Sequence, residues 1–199
     1  GKQAPYARYQ SALVYLAMNE PENAATEFAA VAKTAPEAEL RMESLFRAAE
    51  AYDALGWHES AQAAYAMLKE SYPDSEYARN ADYGYAWALY HAGRYAEALK
   101  TADAFLQRDE SGAVGAGMLY LRANCLNQQR RYDEALAAYA GIEEKFADTD
   151  FAERSRYKVA WIQYMNGRRD EAKALVSELL KTAEIPAVKG DAGFLLGTI

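Results

Sequence analysis

Few side chains in this sequence are of the kind that do chemistry, and their spacing assembles no familiar constellation. His58 and His91 stand 33 residues apart, with no cysteine or carboxylate clustered beside them at the spacing of a metal site. They read as surface or turn residues. Cys125 is the single cysteine, which excludes an internal disulfide and leaves a small hydrophobe packed on a helix. Three close glycines occur in Arg108 to Gly117, RDESGAVGAG, but their order is G-x-x-G-x-G, no strand precedes them and no Lys-Ser/Thr follows. A phosphate loop is therefore disfavoured, and the stretch reads as an inter-repeat turn with a flexible start to the fourth first helix, a locally mobile joint. With no base, nucleophile or metal set in any spacing, the chain is expected to be non-enzymatic, without cofactor or metal.

What the sequence does offer is recognition by aromatic side chains. Tyr83, Trp87 and Tyr90 fall at i, i+4 and i+7, and Tyr157, Trp161 and Tyr164 repeat the pattern, so each set forms one stripe on a helix face. Tyr120, Asn124 and Asn127 take the corresponding places between them, and Arg154 and Lys158 lie at i and i+4 beside the last stripe. Amphipathic aromatics are what peptide grooves use. The competing reading is that these rings pack neighbouring repeats, most of all at the Tyr83 position, where an aromatic recurs as Tyr9, Phe46, Tyr83, Tyr120, Tyr157 and Phe194.

The elements that must position these residues follow from a strict internal period. Ala12, Ala49, Ala86, Ala123 and Ala160 are separated by 37 residues at every step, and Ala24, Ala61, Ala98, Ala135 and Ala172 form a second ladder of the same spacing. Helices of a hairpin approach closely only where the crossing side chain is small, while larger residues fill the flanking layers. Those layers are Phe28, Tyr65, Ala102, Tyr139 and Val176, then Val31, Leu68, Phe105, Ile142 and Leu179. Between the ladders stand Gly56, Gly93 and Gly167, replaced by Asn19 and Arg130 in the first and fourth repeats. These mark the left-handed residue that ends a first helix. Pro36 and Pro73 close the second helices of the first two repeats.

The small-residue, Ala-x-x-x-aromatic and closing-proline positions resemble the tetratricopeptide repeat family over essentially the whole chain, with units about three residues longer than the usual ~34. YPDSEYARNA and FADTDFAERS, each preceding a long first helix, most resemble tetratricopeptide proteins of the bacterial cell envelope, of the outer-membrane assembly lipoprotein and Tol-Pal coordinator types. The resemblance implies an all-α, right-handed α-solenoid of five helix-turn-helix repeats, at about 5–36, 37–73, 74–110, 111–147 and 148–185, with a truncated sixth first helix at 187–199. It implies that first helices line the concave face, so Tyr83, Trp87, Tyr90, Tyr120, Asn124, Asn127, Arg154, Tyr157, Lys158, Trp161 and Tyr164 are the expected peptide groove. Arg154 and Lys158 match the last two basic members of the carboxylate clamp of chaperone-binding relatives. Tyr83, Trp87 and Leu121 stand where that clamp has a lysine and two asparagines, which argues against a chaperone-tail clamp.

Composition narrows the partner. With 51% apolar and 26% charged residues the chain has the make-up of an ordinary globular domain, and no stretch has the apolar length of a membrane span. The net charge is −7, and no basic stripe suits a nucleic-acid backbone. The expected function is a protein-protein interaction scaffold that binds an extended peptide or helix, in the periplasm or envelope, with the cytoplasm as the alternative location. The alternative function is a permanent structural subunit using convex or end surfaces. Gly197-Thr198-Ile199 breaks off inside the sixth first helix, so a longer protein and self-association through this end are expected. If the alanine register is right, Ala86→Leu and Ala160→Leu each overpack a helix crossing and cost about 1–3 kcal/mol, to be read as a lowered thermal midpoint.

Overall fold

A computed structural model describes residues 3–199. All regular structure among them is helical: α1 (Ala4–Ala17), α2 (Pro21–Thr34), α3 (Ala38–Ala54), α4 (His58–Ser71), α5 (Glu76–His91), α6 (Tyr95–Leu106), α7 (Gly112–Gln128), α8 (Tyr132–Lys145), α9 (Asp150–Met165), α10 (Arg169–Thr182) and α11 (Pro186–Thr198). Odd-numbered helices are the first helices of the repeats and even-numbered ones the second. The chain divides into two compact units, one running through Thr101 and the other from Ala102 to Ile199.

Every hairpin turns the same way at atomic detail. After α5, the Gly93 amide donates to Tyr90 O and the Arg94 amide to Leu89 O, both at 2.9 Å, with Gly93 at φ +76°. This is a Schellman ending, which satisfies two carbonyls that the helix leaves without partners. The same pair of bonds recurs at Gly56-Trp57, Gly167-Arg168, Asn19-Glu20 and Arg130-Arg131. Asn19 and Arg130 do hold the left-handed conformation, at φ 59° and 61°. Asparagine visits this region readily, whereas for Arg130 the side chain costs about 1–2 kcal/mol, so there the tertiary context outweighs local preference.

Between repeats the chain follows local chemistry. In YPDS, the Ser75 amide and hydroxyl both donate to Tyr72 O, at 3.1 and 2.8 Å, while the Ser75 hydroxyl accepts from the Ala78 amide and caps α5. In FADT, Thr149 makes the equivalent amide and hydroxyl bonds to Phe146 O at 3.1 and 2.7 Å. Prolines occupy the first turns of α1, α2 and α11, where a missing amide costs nothing.

Both alanine ladders are fully buried, and so are the flanking plugs. In the first unit α1 packs on α2, α2 on α3, α3 on α4 and α4 on α5, and α3 also touches α5 one repeat later. Ala12, Ala24, Phe28 and Ala48 form one core patch there, and Ala49, Ala61, Tyr65, Leu68, Ala81 and Ala88 another. In the second unit α7 to α11 pack in the same sequential order, and Ala160, Val176, Leu179, Val188, Ala192 and Leu195 close its last layer. Lys69 and the buried Asp82 pair between α4 and α5, so Asp82 is not left as a lone charge in the interior.

In the RDESGAVGAG stretch the turn is short and the glycines are taken up by the start of the fourth first helix. Helix α7 already begins at Gly112, so Gly115 and Gly117 are helical and buried. A Cβ at Gly115 would lie 2.3 Å from the backbone oxygen of Glu110. The glycine is required by a close backbone approach rather than by loop conformation. The incoming turn is fastened by Asp109, which accepts from the Ser111 amide and hydroxyl at 2.9 and 2.6 Å.

Three substitutions follow from these turns. Arg130→Gly relieves a left-handed side chain and raises stability by about 0.5–1 kcal/mol, whereas Gly93→Ala lowers it by about 1 kcal/mol. Gly115→Ala drives a Cβ into fixed backbone and costs about 1–3 kcal/mol. Urea unfolding of the three variants checks the signs.

Candidate functional site

The recurring aromatic of the first helices has two fates, set by what stands 19 residues later in the same repeat. Where that plug is aromatic, the two rings meet: Tyr9 on Phe28 at 5.5 Å, Phe46 on Tyr65 at 5.8 Å and Tyr120 on Tyr139 at 5.9 Å between centroids. Of these rings Tyr120 is buried, while Tyr9 and Phe46 stay half-buried with one face spent on the plug. In the third and fifth repeats the plug is the smaller Ala102 or Val176, and it is in these repeats that the first helix carries a tryptophan four residues on, Trp87 and Trp161.

On α5 the stripe is continuous. Trp87 stands 6.1 Å from Tyr83 and 5.3 Å from Tyr90, both edge to face, and Tyr90 meets Tyr95 of α6 at 5.2 Å. His91 adds a ring 5.5 Å from Trp87. Tyr83, Trp87, Tyr90 and Tyr95 are all half-buried, so each is held by its neighbours while keeping surface for a ligand. Edge-to-face contact of this kind adds about 0.5–1.5 kcal/mol per pair beyond area burial.

In the second unit Trp161 and Tyr164 lie 6.0 Å apart, and with Tyr157 they rest on the core patch of α9 to α11. Trp161 also borders a cavity of about 220 Å³ lined by Asn127, Gln128, Arg130, Tyr132 and Met165. The structure thus brings Asn127 and Trp161 to one recess. Tyr120 and Asn124 turn out differently from the expected groove residues, because both are buried: Tyr120 packs between Tyr139 and Phe151, and Asn124 accepts a 2.7 Å hydrogen bond from the Tyr139 hydroxyl. Arg154 is exposed, whereas Lys158 is half-buried, and that burial pulls its ammonium below the ordinary value against the opposing charge of Asp191.

Three features were not legible as sites in the sequence. Glu153 on α9 accepts from the Glu184 and Ile185 amides at 2.9 and 2.8 Å, fixing the turn into α11 beside a cavity of about 360 Å³ rimmed by Asp148, Asp150 and Arg156. Tyr9 donates to Glu43, and burial with that carboxylate pushes its phenol up to about 12. His58 and His91, expected as separate surface or turn residues, converge on Asp53: Nδ1 of His58 lies 2.8 Å from one carboxylate oxygen and Nδ1 of His91 2.7 Å from the other. The signal lay in the turn, since His58 stands two residues after Gly56 and His91 two before Gly93.

Comparison with known proteins agrees with this architecture. One family profile described as tetratricopeptide repeat matches residues 86–149, and a second of the same description matches 6–38 and 43–75. No curated protein matches the sequence. Among solved structures, a thermophilic TPR protein of Thermus thermophilus is 19% identical, with 97% of this chain and 99% of that one covered at a TM-score of 0.67. MamA of Desulfovibrio magneticus is 14% identical over 89% and 93%, with a TM-score of 0.70. YrrB, described as a TPR protein with an unusual peptide-binding site, is 14% identical over 98% and 94%, with a TM-score of 0.60.

Cys125 is excluded as a reactive group by its position inside α7. Burial, with the nearby Asp103 charge, pushes its thiol up to about 12, so the thiolate that would react is suppressed at neutral pH. A thiol reagent at pH 8 is expected to label the native protein only at the rate of unfolding and to label it fully in denaturant. The raised value also means that stability falls as pH climbs from the ordinary thiol range toward about 12, because only the unfolded chain loses the proton there.

Proposed function

The chain belongs to the tetratricopeptide repeat family, whose members generally mediate protein-protein interaction, and on that premise we propose that it is a non-enzymatic scaffold that binds an extended peptide or a helix of a partner protein. The observation that carries this reading is the α5 stripe, in which Tyr83, Trp87 and Tyr90 stay half-buried in mutual edge contact. Preordered aromatic anchors of this type supply most of the energy in peptide recognition, because they lose little side-chain freedom on binding. Trp161, Tyr164 and the adjoining recess with Asn127 offer a second anchor in the other unit. Arg154 and Lys158 on α9 would favour an acidic group on the ligand.

The envelope of a bacterium is the proposed setting, supported by the resemblance of the YPDSEYARNA and FADTDFAERS segments. Among the described residues no helix is long and apolar enough to cross a membrane. A second reading, a permanent structural subunit, is favoured by exposed apolar side chains outside the two tryptophan stripes, namely Val14 on α1, Met18 just after it and Phe194 on α11.

Peptides selected on the protein from a displayed random library distinguish the two. On the first reading Trp87→Ala or Trp161→Ala weakens the selected peptides by about 2 kcal/mol, roughly 30-fold, with unchanged circular dichroism. Arg154→Glu weakens only acidic peptides, and less at high salt. Glu97→Lys and Glu134→Lys, on second helices, leave affinity unchanged. Loss of binding in those two with normal binding by both tryptophan variants sinks the first reading.

A further inference from the structure

We propose that Asp53, His58 and His91 form a binding site for a divalent transition-metal ion of the zinc type. The site lies where three helix ends meet in the first unit: Asp53 in the last turn of α3, His58 at the start of α4 and His91 at the end of α5. One ligand atom from each residue lies within 4.8 Å of the other two. The two imidazole Nδ1 atoms already face the two oxygens of one carboxylate, at 2.8 and 2.7 Å.

A tetrahedral ion with bonds of about 2.0–2.2 Å keeps its ligand atoms roughly 3.3 Å apart. The hydrogen bond to whichever Asp53 oxygen coordinates therefore opens by about half an ångström, while ligand atoms that stand up to 4.8 Å apart close by as much as about 1.5 Å. The proton on each Nδ1 passes to Nε2 of the same ring, so neutral imidazoles stay neutral and no other acid or base is needed. Two imidazoles and a carboxylate suit zinc, nickel or copper, and supply too few oxygens for calcium or magnesium. Three protein ligands leave a fourth position for water or for a group on a partner.

The electrostatic setting supports a cation. Two of the three helix ends are C-terminal, where the helix dipole favours a cation, against one N-terminal end at His58. The Asp53 carboxylate is only 18% exposed, which strengthens its attraction for an ion relative to a fully solvated acid. The geometry is also held firmly, since the Schellman turns after α3 and α5 fix both flanking segments. Bound metal would join the turn of one repeat to the end of the next first helix, with Trp87 5.5 Å from the ring of His91.

Zinc chloride titrated into the full, tag-free chain and followed by calorimetry tests this, with copper(II) quenching of tryptophan fluorescence as a second readout. The chain has no histidine besides these two, so background imidazole binding is absent. One zinc per chain is expected, with a raised thermal midpoint in excess zinc. Asp53→Asn, His58→Gln and His91→Gln should each weaken zinc at least about 10-fold and reduce the copper quenching. Circular dichroism verifies that each variant folds, and the glutamine variants retain a hydrogen-bonding side chain. Absence of zinc binding in the wild-type chain, or binding unaltered in the folded variants, overturns the proposal and leaves a hydrogen-bonded clasp.

Discussion

The structure depends on the close crossing of paired helices at alanine. A methyl group at the crossing lets two backbones approach until the flanking side chains interdigitate, and both ladders are completely withdrawn from water. Each crossing is joined by a Schellman turn between its helices, whose left-handed residue reverses the chain locally. Because the contacts of each unit are mostly between successive helices, the ladder distributes stability along the chain rather than concentrating it in one centre.

That same packing decides where aromatic surface is left over. An aromatic plug takes up the ring 19 residues before it, as with Phe28, Tyr65 and Tyr139. With Ala102 or Val176 as plug, Tyr83 or Tyr157 instead stands beside a tryptophan stripe on its own helix. Charge contributes differently. The pairs Arg94–Glu97 and Arg131–Glu134 lie at corresponding places 37 residues apart, with N–O distances of 2.6 and 2.7 Å, and the arginines hold both carboxyls below their ordinary value. They are solvent-exposed and screened, so they mark the starts of second helices more than they stabilise them.

Much of the fold was legible in the chain. The period of 37, both ladders, the plugs and even the left-handed Asn19 and Arg130 could be read directly, because a repeat displays the same local requirement again and again. The role of the glycines after Ser111 was not legible: glycine signals either a free backbone or a close approach, and only coordinates distinguish the two. At Gly115 it is the backbone of Glu110 that leaves no room for a Cβ.

The sequence by itself determined the helical hairpins, their register and which helix faces carry aromatic residues, since these follow from periodicity and from residues that tolerate only one backbone conformation. Tertiary structure alone decided which of those residues stay available. Tyr120 and Asn124 share the expected groove register but are consumed by Tyr139, whose ring and hydroxyl reach them across the hairpin. It also decided the meeting of His58, His91 and Asp53, because stacking one hairpin on the next brings residues 33 and 38 positions apart within hydrogen-bonding reach of a common carboxylate. Spacing along a chain encodes neighbours on one helix, whereas contact between repeats depends on how far and at what angle successive helices pack.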